Sequence, residues 1–147
     1  MGLFDKVFSK APKAEPLNAQ EAFACIALAM AGAEGSIAQS EWDGIVNYIR
    51  RLRLYDNYSG PAFDKMFDKV FRILRNEGPG ALVSASVAGL PDDLKLTAFA
   101  CAVDIALADG VVEEEEKEII NQLAGALEIP EQTAIQIIEV LIIKNKA

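Results

Sequence analysis

Two similar stretches, 75 positions apart, constrain the fold of this chain more than any other feature. Residues 33–42 read AEGSIAQSEW and residues 108–117 read ADGVVEEEEK, and each follows an alanine-rich apolar run. We call these stretches the first and the second corner. In both, an acid precedes a glycine, and a glutamate stands seven positions after the acid. Glycine permits the positive φ that ends a helix, and the glutamate falls where a side chain bonds back to the next helix start. The pattern predicts an internal duplication of two helix–corner–helix units.

Composition narrows the class of protein. The chain has 147 residues of which 52% are hydrophobic, which fits one domain around one core. Its net charge of −8 repels phosphate backbones and argues against nucleic acid as a partner. The chain contains no histidine, so Ser-His and Cys-His catalysis and histidine-containing zinc sites are excluded.

The two cysteines indicate the cellular compartment. Cys25 and Cys101 each end an apolar Ala-Phe-Ala-Cys sequence, and they lack the close spacing of a redox or zinc pair. They are predicted to be buried, reduced thiols in a cytoplasmic protein, and a disulfide between them is the alternative. No secretory signal is recognisable, and the longest uncharged apolar run, 22–33, is too short to cross about 30 Å of hydrocarbon.

Residues 1–17 are predicted to be an amphipathic peptide followed by a proline-containing linker. The apolar residues of the peptide share one helical face: Leu3, Phe4, Val7 and Phe8. The peptide either folds back over the rest of the protein or serves as a docking element. In the second case it would hold the protein peripherally at the inner face of a membrane.

Residues 18–147 are predicted to form an all-α, single-domain bundle of about seven helices, because apolar residues recur every three or four positions and no stretch alternates with the period of a strand. The predicted helices span 18–31, 41–53, 61–76, 81–89, 94–108, 113–127 and 131–144. The runs 19–31 and 94–108 are almost wholly apolar. They should therefore pack against each other near a pseudo-two-fold axis.

The corners admit two interpretations. In the structural one, the glycine makes the turn, while Glu41 and Glu116 cap the following helices. In the functional one, the carboxylates bind Ca²⁺, Mg²⁺ or Mn²⁺, because oxygen ligands without histidine or cysteine select hard cations. An EF-hand is disfavoured, since its first two ligand positions would be Ile105 and Leu107.

The corners AGAEGSIAQSEW and ALADGVVEEEEK resemble those of the TerB-like proteins, named after tellurite-resistance protein B. The resemblance covers about 20–144. It implies an all-helical, duplicated, non-enzymatic stress-response domain with a metal bound by acids, and with partners among stress-response and membrane-associated proteins. By position, the implied metal ligands are Glu34, Glu41, Asp104, Asp109 and Glu116. The first half departs from the family pattern, because Glu34 stands where Asp is usual and Ala38 where an oxygen-bearing cap would help.

Three functions are compatible with these features. The first is a TerB-like binding module with a divalent cation at the acidic corners. The second is a protein-interaction or membrane-surface adaptor without metal. Such an adaptor could also be a homodimer. The third is a metal-dependent hydrolase that works through paired carboxylates, which the lack of histidine disfavours.

Apart from Lys95, Asp104 is the only charged residue in the apolar run 94–108. It points about 140° away from Asp109 around an ideal helix, so the two acids can share an ion only if the helix ends or distorts between them. Otherwise Asp104 should be an internal anchor, capping a neighbouring helix or paired with a lysine or arginine, because an unpaired buried carboxylate is costly. We expect the anchor.

Overall fold

The computed structural model describes residues 17–108 and 110–147, and within these ranges it contains seven α-helices and no strand. The helices are α1 (Ala19–Ala31), α2 (Gln39–Arg50), α3 (Gly60–Glu77), α4 (Pro79–Gly89), α5 (Lys95–Leu107), α6 (Glu114–Ala126) and α7 (Glu131–Lys144). Short 3-10 turns at Arg53–Tyr55 and Asp92–Leu94 precede α3 and α5. The predicted all-α class is confirmed. The amphipathic peptide and nearly all of its linker lie outside the described residues.

Helix α1 is the centre of the bundle. Every residue of 22–30 is buried, and α1 packs against α2, α3, α4, α5 and α6. A helix that is apolar on all sides needs such an enclosure. Its start is fixed by the predicted capping box, in which the Asn18 side chain accepts from the Glu21 amide at 2.8 Å and the Glu21 carboxylate accepts from the Asn18 amide at 3.1 Å.

Helix α5 is the second apolar helix, and it packs against α1 as predicted. Its buried apolar residues are Ala98, Phe99, Ala102, Val103 and Ala106. Both helices bury several alanines, and such small residues permit close packing between helices. The internal duplication and its pseudo-two-fold axis stay predictions.

The predicted boundaries of α2 were wrong at both ends. The helix begins at Gln39, not at 41, because Glu41 is its third residue and caps the start. It ends at Arg50, not at 53, because Leu52 is extended at φ −79° and ψ 137°. This extended residue turns the chain into the short 3-10 turn, where the buried Tyr55 donates from its hydroxyl to the Gln20 carbonyl at 2.6 Å.

The cysteines are both free thiols. Cys25 is buried in α1, and its burial raises the pKa of the thiol to about 12. Cys101 is only half-buried, so the prediction of two core thiols is right for Cys25 and wrong in degree for Cys101. Burial still raises the pKa of the Cys101 thiol above its ordinary value.

Candidate functional site

The two corners share one local geometry. Gly35 has φ +94° and Gly110 has φ +82°, a region in which side chains other than glycine are strained. After each turn the amide of the residue before the helix donates to a glutamate in the first helical turn, at 3.3 Å to Glu41 and at 3.1 Å to Glu116. The predicted roles of these glycines and glutamates in the corners are therefore confirmed.

The corners also meet in space. Glu34 of the first corner lies beside Glu113 and Glu115 of the second, with one carboxylate oxygen from each within 4.8 Å of the others. All three side chains are exposed. At 4 Å, two unit charges in water repel by only about 1 kcal/mol. Screening by water is therefore enough for the three carboxylates to lie this close together. A bound cation would convert the repulsion into attraction. We call these three residues the acidic triad.

A cavity of about 470 Å³ lies between α2, the ends of α1 and α5, and the end of α7. Four of the five predicted ligands line it: Glu34, Glu41, Asp104 and Glu116. Tyr48, Lys144 and Asn145 complete its polar wall. We call this cavity the acidic cleft. The fifth predicted ligand, Asp109, lies outside the described residues.

Glu41 and Tyr48 of α2 face the cleft because another side of this helix packs against aromatic rings. Trp42 lies edge-on against Phe67 and Phe71 of α3, with ring centroids 5.0 and 5.5 Å apart. Since neighbouring residues on a helix point about 100° apart, this contact turns Glu41 and Tyr48 toward the cleft. Aromatic packing between α2 and α3 thus shapes one wall of the site.

Asp104 is a buried carboxylate with several partners. It accepts from the Lys144 ammonium at 2.9 Å, the Asn145 amide at 2.8 Å and the Tyr48 hydroxyl at 3.0 Å. Burial by itself raises the pKa of Asp104, but the hydrogen bonds from Asn145, Lys144 and Tyr48 outweigh it and hold the pKa below its ordinary value. The pairing with a lysine is the anchor arrangement expected from the sequence, and it ties α5 to the end of α7.

The other cleft acids differ in exposure. Glu116 is 8% exposed, whereas Glu41 at the equivalent position of the first corner is exposed. Each uses one carboxylate oxygen to cap its own helix. The four described ligands therefore have different surroundings: Glu34 belongs to the exposed acidic triad, Glu41 and Glu116 cap their helices, and Asp104 is anchored to Lys144.

Sequence reasoning missed several members of the site. Glu115 stands in a run of four glutamates, and nothing in the run indicates which of them faces Glu34. Lys144 is the last residue of α7 and Asn145 follows it, 40 and 41 positions from Asp104. No local pattern connects residues so far apart.

The fold and the site together define a helical domain in which two acid–glycine corners converge on one acidic cleft. The family model for tellurite resistance protein TerB matches residues 20–139, so the chain belongs to the TerB family. The match includes both corners and ends before Lys144 and Asn145. Comparison with curated proteins and with solved structures gave no match. None of the helices in the described ranges combines the length and apolar character needed to cross a membrane.

Proposed function

We propose that this protein is a non-enzymatic stress-response module of the tellurite-resistance type that binds a divalent cation at the acidic triad. The observation that supports this most directly is the convergence of Glu34, Glu113 and Glu115 from two corners that are far apart in sequence. Their donor set consists only of carboxylate oxygens, which hard cations prefer.

The donor set fits Ca²⁺ better than Mg²⁺. Ca²⁺ takes about six to eight oxygen ligands in flexible geometry, and three glutamates with water can supply them. Mg²⁺ demands a near-ideal octahedron and gives up its waters reluctantly. When bound, the cation would neutralise the charges that the two corners bring together. It would thereby hold the first corner against the second.

The remaining described ligands from the prediction have structural roles in this proposal. Glu41 and Glu116 cap the helices that follow the corners, and Asp104 fixes α5 to the end of α7. The participation of Asp109, which precedes the turn glycine of the second corner, stays a prediction. The role of the fold is to keep the triad in place.

Thermal unfolding of the full chain, with and without cation, tests the proposal. A cation present at 100 times its dissociation constant should stabilise the protein by about 2.7 kcal/mol. For a domain of this size, that raises Tm by roughly 5–10 °C. The triple variant Glu34→Gln, Glu113→Gln, Glu115→Gln should lose this rise.

A matched control removes the same three charges elsewhere, through Glu118→Gln, Glu131→Gln and Glu139→Gln, three exposed residues of α6 and α7. The control should keep the cation-dependent rise in Tm. An unchanged Tm of the natural chain in millimolar Ca²⁺ and Mn²⁺ would remove the metal from the proposal. An equal loss in both triple variants would show general charge screening and not a site.

An adaptor role without metal is the second candidate, and the exposed surface of α7 favours it. Ile135 and Ile142 are 38% and 44% exposed and lie one above the other at a spacing of seven residues. Such apolar residues on a helix surface suit a protein partner, either a stress-response or membrane-associated protein or a second copy in a homodimer. Light scattering can distinguish a homodimer from binding to a different protein, by comparing the mass of the natural chain with that of Ile142→Asp. Only a homodimer made through this surface loses mass in the variant.

A further inference from the structure

A second cavity, of about 320 Å³, runs between α5 and α7, and the surface it presents is almost wholly apolar. Its lining residues are Ala100, Thr133, Gln136, Ile137, Val140 and Leu141. We call it the α5–α7 groove. Val140 is 63% exposed, and Leu96, one helical turn before Ala100, is 49% exposed. A groove of this kind leaves apolar surface in water that a fitting apolar segment would cover.

We propose that residues 3–8 of this same chain occupy the α5–α7 groove. Their apolar residues at three- and four-residue spacing are Leu3, Phe4, Val7 and Phe8. A helical segment with this spacing presents a single apolar stripe, the shape that a groove between two helices accepts. Phe4 and Phe8 are one turn apart and supply most of the apolar area.

Leu17, the first residue that the structure describes, lies close enough to the groove for residues 3–8 to reach it. The backbone of Leu17 lies so close to Gly89, the last residue of α4, that a Cβ at Gly89 would overlap it. Ala100, which lines the groove, lies five residues after Lys95, the first residue of α5, and Lys95 lies six residues after Gly89. Six extended steps and five helical steps put Ala100 at most about 29 Å from Gly89. The nine residues from Phe8 to Leu17 span up to about 30 Å, so the linker is long enough.

Charge favours the same occupant. Residues 1–16 carry three lysines and two acids, whereas the whole chain has a net charge of −8. The rest of the protein is therefore more negative than the total. Residues 3–8 contain one acid and one lysine and so carry no net charge. The acidic protein therefore does not repel this segment, whereas it repels a second copy of the whole acidic chain.

Nuclear magnetic resonance on the full chain tests this docking directly. Nuclear Overhauser contacts are expected between the rings of Phe4 or Phe8 and the methyl groups of Ile137, Val140 or Leu141. In a mixture of labelled and unlabelled chains, a filter that selects contacts between molecules should remove them. Contacts that survive the filter would assign the groove to a second copy and overturn the proposal.

Two pairs of matched variants separate docking from a general change in the protein. Val140→Asp, in the groove, should abolish the contacts, whereas Ile142→Asp, exposed on another side of α7, should keep them. Phe4→Asp with Phe8→Asp should shift the Ala100 and Ile137 amide resonances. Ser9→Asp with Ala11→Asp adds the same charge and should leave them in place. Circular dichroism verifies that each variant keeps its helices.

The membrane alternative is tested on the same samples with vesicles of mixed anionic and neutral phospholipid. Docking predicts that the natural chain shows the ring–methyl contacts and stays in solution. Absence of the contacts, with sedimentation on vesicles that Phe4→Asp and Phe8→Asp abolish, would assign residues 3–8 to a membrane. Absence of both contacts and sedimentation would equally refute the proposal.

Discussion

Replacing Asp104 by asparagine tests whether the buried carboxylate anchors the end of α7. Asparagine keeps the shape but removes the charge, and it turns one acceptor oxygen into a donor. If the asparagine oxygen stays toward the Asn145 amide, the new NH2 group faces the Tyr48 hydroxyl at 3.0 Å and the Lys144 ammonium, another donor, at 3.1 Å. A lost hydrogen bond to a charged group costs about 1.5–3 kcal/mol.

The ion pair with Lys144 contributes only a small part of this free-energy cost. It is 59% exposed, so solvent screens its ion pair, which contributes on the order of 0–1 kcal/mol. The Asn145 amide and the Tyr48 hydroxyl are less exposed and carry most of the effect. We therefore expect Asp104→Asn to lower the free energy of unfolding by about 1–3 kcal/mol. For a domain of this size, Tm then falls by roughly 2–4 °C per kcal/mol.

Urea unfolding followed by circular dichroism measures the effect, as a lower midpoint at an unchanged slope. The loss should be the same in EDTA and in millimolar Ca²⁺. Asp92→Asn is the control, because Asp92 is paired with Lys95 at 3.0 Å but is 95% exposed, so its loss should stay within about 0.5 kcal/mol. Equal stability of both variants would refute the anchor. A loss seen only with cation would make Asp104 a metal ligand.

The pH dependence of the free energy of unfolding tests the contacts of Asp104 independently. The pKa of Asp104 in the folded protein lies below its ordinary value, so the unfolded chain takes up the proton first as pH falls. The stabilisation is complete above the unfolded pKa of about 3.9 and is lost as pH falls through the folded pKa. The stability difference between the natural chain and Asp104→Asn should therefore be constant from about pH 5 to 7 and shrink below about pH 4.

Three further predictions concern packing. Gly89→Ala should lower the urea midpoint, because a Cβ there meets backbone that precedes α1, whereas Gly125→Ala, in open space within α6, should raise stability by about 0.5–1 kcal/mol. A thiol reagent at pH 8 should label Cys101 before Cys25, since Cys25 is fully buried with a thiol pKa of about 12; the reverse order would contradict the burial. Tyr55→Phe should reduce the free energy of unfolding by about 1 kcal/mol, through loss of a buried hydrogen bond, and an unchanged unfolding curve would contradict this.

The sequence by itself determined the features that depend on neighbours within about four residues. The helices follow from three- and four-residue spacing, and the corner glycines adopt positive φ because the turn requires it. Glu41 and Glu116 could be placed as caps since each bonds to an amide three residues earlier. The central position of α1 followed from its lack of a polar face.

Only the tertiary structure decided which distant residues meet. Glu34 lies against Glu113 and Glu115 because α1, α5 and their corners are packed side by side, and the run of four glutamates contains no signal for this choice. Asp104 could be assigned to an anchor but not to Lys144, a partner 40 positions away. Such contacts depend on how helices cross, which is set by the packing of whole helix surfaces and not by any local sequence pattern.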